Sequence, residues 1–173
     1  MRVIAGEFRS RKLVSLAGDT TRPTPDRLRE TLFSILLPVI EDSVFVDAFA
    51  GTGAVGIEAL SRGARQAIFI EKNKDAVEVI KENLSSLKIK DRGKLIKGSA
   101  VLHLANVTDA IVFIDPPYES ARDYEAVFET MAAHPPKLAI VQHSVRYQTP
   151  ESCGPMRRYR VLKQGDNALS FYE

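Results

Sequence analysis

"VFVDAFAGTGAVGIEAL" (residues 44–60) decides how the rest of the chain is read. Three consecutive apolar residues run into an acid, Asp47, and then into Gly51, Gly53 and Gly56, a literal G-x-G-x-x-G that leads into an apolar helical pattern. A glycine turn between a buried strand and a helix start lets the backbone approach a ligand closely. The helix N-terminus behind it offers free N–H groups. Glu71 follows 20 residues after Gly51, at the end of the next β-like run, where a carboxylate can accept from both hydroxyls of an adenosine ribose.

Two cofactors meet these conditions, a dinucleotide and S-adenosylmethionine. Asp47 discriminates between them. A carboxylate four residues before the first glycine would repel a pyrophosphate, whereas it suits a ligand carrying an ammonium and a sulfonium. The bland reading of Asp47 is a loop or helix-capping acid. S-adenosylmethionine is the expected cofactor, and a nicotinamide-dependent oxidoreductase is disfavoured.

Outward from this loop, β-like runs at 44–49, 67–71, 94–98, 110–115 and 137–144 alternate with helix-like stretches at 54–63, 74–88 and 121–134. In the second helix Ala76, Val77, Ile80, Leu84 and Leu87 share one face. Two final runs, 159–164 and 168–173, are joined by "GDN" and predict an antiparallel hairpin. The expected fold is α/β: a Rossmann-like, mostly parallel seven-stranded sheet with an antiparallel C-terminal hairpin. Residues 1–40 predict a small two-stranded basic arm and a proline-started helix over 21–40, appended to a catalytic domain over 41–173.

The 173 residues, 45% of them hydrophobic, can bury a core, which excludes a disordered chain. One cysteine excludes an internal disulfide and a Cys-based zinc site, and His103, His134 and His143 lack ligand spacing, so no metal is expected. Without an apolar leader or membrane span, the expectation is a soluble, cytoplasmic monomer. Net charge is only +2, but Arg2, Arg9, Arg11, Lys12, Arg22, Arg27 and Arg29 crowd the opening segment against four acids. A second basic cluster, "RRYRVLK", occupies 157–163. Both are compatible with a polyanion partner or with ordinary solvated charge.

"AIVFIDPPYES" (110–120) ends a buried strand on Asp115-Pro116-Pro117-Tyr118. In an open α/β sheet this is the ligand-binding edge. An exocyclic amine on a purine is a poor nucleophile because its lone pair is delocalised into the ring. Two acceptors aimed at its N–H bonds, Asp115 and the Pro116 carbonyl, localise that pair toward a methyl donor. The two prolines stiffen the turn without adding a competing donor. Tyr118 can stack on a flipped base. The bland reading is a strand cap followed by a rigid turn.

These residues resemble the class I S-adenosylmethionine-dependent methyltransferases that carry a (D/N)PP(Y/F) motif. "RVIAGEFRSRKL", "RPTPDRLRETLFSIL", "VDAFAGTGAVGIEALSRGA", "VFIDPPY" and the closing "LSFYE" together resemble the RsmD family, which methylates the exocyclic N2 of a guanine in bacterial 16S ribosomal RNA. The resemblance runs from residue 2 to the end. It implies that Asp47, Gly51, Gly53 and Glu71 hold the cofactor, that Phe49, Ala50, Thr52 and Gly56 shape its loop, and that Lys72, Ser99 and Ala100 complete the contact. Ser99 stands where such enzymes place an acid beside the adenine amino group. Asp115, Pro116, Pro117 and Tyr118 are then the catalytic turn. Arg2, Arg9, Arg11, Lys12, Arg22, Thr24, Arg27 and Arg29 are assigned to RNA or to anchoring the arm; the helix arginines could equally pair with Asp26 or Glu30. The expected partner is 16S rRNA in the small subunit or an assembly intermediate. The alternatives are an adenine-N6 methyltransferase and a non-catalytic RNA-binding assembly factor.

Overall fold

The computed structural model describes residues 1–16, 24–117 and 119–173. Its elements follow the alternation in the sequence. Helix α1 (Asp26–Ile40) precedes β1 (Val44–Ala48), α2 (Ala54–Ser61), β2 (Gln66–Glu71), α3 (Lys74–Ser86) and β3 (Gly93–Lys97). Then come α4 (Ala100–Leu104), β4 (Ile111–Ile114), α5 (Ala121–Ala133), β5 (Leu138–Ser144), β6 (Ser152–Cys153), β7 (Met156–Gln164) and β8 (Asn167–Tyr172). The strands form one sheet in the order β3-β2-β1-β4-β5-β8-β7-β6. β1 to β5 are parallel, and β8 and β7 run antiparallel to their neighbours.

All seven expected strands are present. An eighth, β6, adds two residues that pair with Met156 and Arg157. The short helix α4 was not anticipated either; five residues are too few to show a period. The expected two-stranded arm is an antiparallel bridge between Arg2 and Lys12 rather than a pair of strands. The part of the expected first helix at 21–23 lies outside the described residues, and α1 itself begins after Pro25.

Strand alternation sorts the side chains to two covered faces. On one, Val46, Ala48, Val112, Ile114 and Val141 meet Leu104, Tyr124, Val127 and Met131 of the helical layer. On the other, Phe45, Phe113, Ile140, Leu169 and Phe171 meet Leu28, Leu32, Phe33, Leu36 and Ile40 of α1 together with Val55 and Ala59 of α2. The α1 residues recur at helical spacing, and each fully buried side chain contributes roughly 1.5–3 kcal/mol. The α1 helix therefore shares the sheet's own core.

The arm docks on the far end of α2. Val3, Phe8 and Leu13 pack with Ile57, Leu60, Phe69, Ile80 and Leu84. The buried Glu58 carboxylate accepts from the Ile4 and Ala5 N–H groups at 2.8 and 3.1 Å, and Ser61 Oγ accepts from the Phe8 N–H at 2.9 Å. Gly6 makes this approach possible. Its φ is +81°, and a Cβ there would stand 1.8 Å from the Ser61 carbonyl oxygen.

Candidate active site

Strand order reverses between β1 and β4, and the register brings the chemistry to that point. Ala48 pairs with Ile70 and with Ile114, and Ile114 pairs with Val141. The next residue on each strand, Glu71, Phe49, Asp115 and Gln142, therefore emerges in a row along one sheet edge. Adjacent members are separated by the strand spacing of about 4.8 Å. Together they border a cavity of about 630 Å³, within the range of small-molecule sites.

The glycine loop forms one wall. Phe49, Gly51 and Gly53 all have left-handed φ, at 64°, 54° and 77°. For Phe49 this is a strained conformation of the kind concentrated at ligand sites. A Cβ on Gly51 would meet nothing within 4 Å, so the space in front of it is open. Gly56 serves a different purpose: a Cβ there would lie 2.4 Å from the Phe69 ring, so its role is close helix–strand packing.

Asp47 shares the strand face of Phe45, beneath α2, and its Oδ2 accepts from the Gly56 N–H at 2.8 Å. The capping reading and the cavity reading hold together, since the same residue lines the cavity. Burial pushes its carboxyl well above the usual range. The Gly56 N–H opposes this, the Asp115 and Glu71 carboxylates reinforce it, and the Arg29 guanidinium opposes it. Glu71 Oε2 accepts from the Gly51 N–H and Oε1 from the Asn73 N–H, both at 2.8 Å. Each oxygen keeps a further acceptor site.

Asp115 leaves β4 into the proline turn. Burial raises its carboxyl to about 7, opposed by the Thr24 hydroxyl, which donates to Oδ2 at 3.4 Å. Pro116 is buried and Pro117 exposed, both on the cavity. Tyr118 lies outside the described residues. Five carboxylates line the cavity (Asp47, Glu71, Asp115, Glu119 and Asp123) against one cation, Lys72, and repulsion from Asp115 and Glu71 is felt at Asp47; this suits a ligand bearing positive charge. The residues fit S-adenosylmethionine better than a dinucleotide on that ground.

Phe49, Ala50, Gly51, Thr52, Glu71, Lys72, Ser99 and Ala100 all line the cavity, while Gly53 and Gly56 stand behind it. Thr24, assigned to RNA, also borders the cavity and donates to the Asp115 carboxylate. Pro25, Asn73, Gln142 and Asn167 also border the cavity and were not anticipated. Gln142 left a trace, as the first polar residue after the apolar run 138–141.

The basic residues separate by burial. Arg2, Arg9, Arg11, Lys12 and Arg27 are exposed, with Arg11 also donating to the Ser86 carbonyl at 3.0 Å. For Arg29, burial rules out the RNA assignment and leaves the other two readings, anchoring the arm and pairing with Asp26. Its guanidinium donates to the Arg2 carbonyl at 2.8 Å and to Asp26 at 2.7 Å, so it anchors the arm to α1. Arg22 lies outside the described residues.

A family described as conserved hypothetical protein 95 matches residues 1–173. The chain belongs to the RsmD family of methyltransferases. Three relatives illustrate the range of this RsmD-family chain's similarity. YlbH of Bacillus subtilis is 30% identical over 181 residues, all of this chain and 98% of that protein. Ribosomal RNA small subunit methyltransferase D of Haemophilus influenzae is 41% identical over 123 residues, 68% of this chain but 64% of that protein. The solved structure of yhhF from Escherichia coli superposes with a TM-score of 0.86 at 35% identity, over 99% of this chain and 96% of that one. Among the described residues, no helix is long and apolar enough to cross a membrane.

Proposed function

We propose that this protein transfers a methyl group from S-adenosylmethionine to the exocyclic N2 amine of a guanine in 16S ribosomal RNA. The observation that carries the reading is the adjacency of Asp115 and the glycine loop across the β1–β4 switch point, within one cavity that also holds Glu71. The relatives named ribosomal RNA small subunit methyltransferase D supply the substrate class.

When bound, S-adenosylmethionine supplies an electrophilic methyl group on a cationic sulfur. Glu71 accepts from the ribose, Asp47 and its neighbours answer the positive charge, and Gly51 leaves room for the ligand. Ser99 and Ala100 border the adenine, with the Ser99 hydroxyl taking the place of a carboxylate, and Lys72 flanks the ribose. At the other side Asp115 and the Pro116 carbonyl accept from the two N–H bonds of the target amine. Pro117 stiffens the turn and Tyr118 stacks on the base. Holding amine and donor together supplies much of the acceleration, up to roughly 7–11 kcal/mol in favourable cases. Asp115 need not be a strong base, because the methylated amine is acidic and gives up its proton readily.

Residues 1–40 serve RNA contact, through Arg2, Arg9, Arg11, Lys12, Arg22 and Arg27, and residues 41–173 serve catalysis. The protein works as a cytoplasmic monomer on rRNA within the small subunit or an assembly intermediate, where folded particle structure helps to define one guanine among many.

The test supplies labelled S-adenosylmethionine with unmodified small subunits, free rRNA and duplex DNA, followed by nucleoside analysis by mass spectrometry. N2-methylguanosine from the ribosomal substrate is expected. N6-methyladenine would overturn the base assignment while keeping the chemistry of the turn, and no transfer would leave an RNA-binding assembly factor.

A further inference from the structure

The second basic cluster lies on β7, at the opposite side of the cavity from the arm. β7 reads "MRRYRVLKQ" and carries Arg157, Arg158, Arg160 and Lys163 with no acid. Tyr159, Arg160 and Val161 are all exposed. A β-bulge between Arg158 and Arg160 breaks the alternation, so these three successive residues all reach solvent while Met156 and Leu162 keep the strand's contact with the core. Its outer edge is paired by β6 at Met156 and Arg157 and by the Arg158 N–H, which donates to the Glu151 carbonyl at 2.9 Å; from Tyr159 onward no strand among the described residues pairs with that edge.

An edge strand guarded only against aggregation carries charge and avoids exposed apolar groups. β7 instead sets an aromatic ring and a β-branched side chain among its cations, with Tyr159 48% exposed. The Tyr159 ring is held from beneath by Phe171, at 6.1 Å between centroids. No ion pair among the described residues involves Arg157, Arg160 or Lys163. The one acid felt at Tyr159 is Glu173. Arg158 is committed differently, donating to the Thr149 hydroxyl at 2.8 Å.

Topology relates this strand to the active site. Gln164, at the end of β7, pairs with Asn167, and Asn167 borders the cavity that holds Asp115. The stripe therefore starts beside the cavity wall at Lys163 and runs back to Arg157, roughly 20 Å along the strand. Four inter-strand steps, about 19 Å, separate β7 from β1. The basic arm packs beyond β1, on α2 and α3, so the two cationic surfaces lie on either side of the catalytic edge.

We propose that the exposed strand β7 is a second RNA-binding surface, on which Arg157, Arg160 and Lys163 hold phosphates of unpaired rRNA beside the target nucleotide and Tyr159 stacks on one of its bases. Single-stranded RNA is gripped in this way, by cations along the backbone and aromatic rings against the bases. The inference rests on the rRNA reading of the active site.

The experiment compares the wild-type protein with Arg157→Ala/Arg160→Ala/Lys163→Ala, Tyr159→Ala and Tyr159→Phe. Binding to unmodified 16S rRNA is titrated over a range of salt, and S-adenosylhomocysteine binding is measured alongside as a check on folding. Three lost phosphate contacts should lower the salt slope by about 2 and weaken binding more than about tenfold at moderate salt. Tyr159→Ala should weaken it at least about fivefold, and Tyr159→Phe should restore it. All variants should bind S-adenosylhomocysteine like wild type.

Unchanged rRNA affinity and slope in the triple variant, with wild-type methylation intact, would overturn the surface and leave the enzyme reading standing. Variants that act normally on free rRNA but fail on assembled particles would overturn it in favour of a ribosomal protein as the partner. A wild-type protein that neither binds nor methylates rRNA would overturn the enzyme reading itself, and this surface with it.

Discussion

Asn83 and Val14 exchange two hydrogen bonds: the Val14 N–H donates to Oδ1 at 2.7 Å, and Nδ2 donates to the Val14 carbonyl at 3.1 Å. The same Nδ2 donates to the Thr52 carbonyl at 3.1 Å, so one fully buried amide of α3 ties the end of the arm to the glycine loop. Arm and cofactor wall thus meet on one side chain.

Asn83→Leu is expected to strand these three backbone groups. An unpartnered buried group costs about 1–3 kcal/mol, and each 1 kcal/mol shifts the Tm of a chain this size by about 2–4 °C. A fall in Tm of more than about 4 °C is expected in calorimetry, with weaker S-adenosylhomocysteine binding in titration. Wild-type values for both would mean that the clamp carries no weight.

Asp115 sets a pH dependence. Its carboxyl is raised from 3.8 to about 7, so below 7 the folded protein holds it protonated while the unfolded chain has it ionised down to 3.8. Stability from this group is full below 3.8, declines as pH rises toward 7, and is absent above it. Asp115→Asn, neutral throughout, should therefore melt above wild type at about pH 8 and converge with it toward pH 4. Catalysis runs the other way, because acceptance from the amine needs the ionised form. The kcat/KM should rise to a plateau above about pH 7 in wild type and be abolished in Asp115→Ala. A flat profile between pH 5 and 9 would remove Asp115 from the reaction.

Glu71 holds the loop before any ligand arrives, through the Gly51 and Asn73 N–H groups. Hydrogen bonds to a charged group contribute about 1.5–3 kcal/mol. Glu71→Ala should weaken S-adenosylhomocysteine binding more than about tenfold in calorimetric titration, with rRNA affinity retained. Equal loss of both affinities would point to a disrupted fold rather than a ligand contact.

Arg27 and Arg29 should separate, although both are arginines near the start of one helix. Arg29 is buried on the Arg2 carbonyl, and Arg27 is exposed. Arg29→Met should cost about 1–3 kcal/mol of stability through the unpaired carbonyl. Its Asp26 partner is half exposed and adds little. Arg27→Ala should leave the Tm unchanged and weaken rRNA binding. The reverse pattern in thermal and binding assays would refute the division.

The alternation of strands and helices, the glycine turn, and the acids at the ends of β1, β2 and β4 were all legible in the sequence. Each is written in local patterns: side-chain period, punctuation by glycine and proline, and the position of an acid after an apolar run. Periodicity alone also marked the buried face of α3.

What joins distant segments was not legible. Thr24 reaches Asp115 across 91 residues, Asn83 reaches Val14 across 69, and Ile4 reaches Glu58 across 54. Arg29 looked like its exposed neighbour Arg27 until the docked arm enclosed it. Gln142 enters the site because β5 registers beside β4. Such partners are chosen by packing and by the need to satisfy every buried polar group, conditions that exist only once the chain has closed on itself. The sequence by itself determined which elements form and which carry the chemistry; the tertiary structure decided which charges face solvent and which hold the protein together.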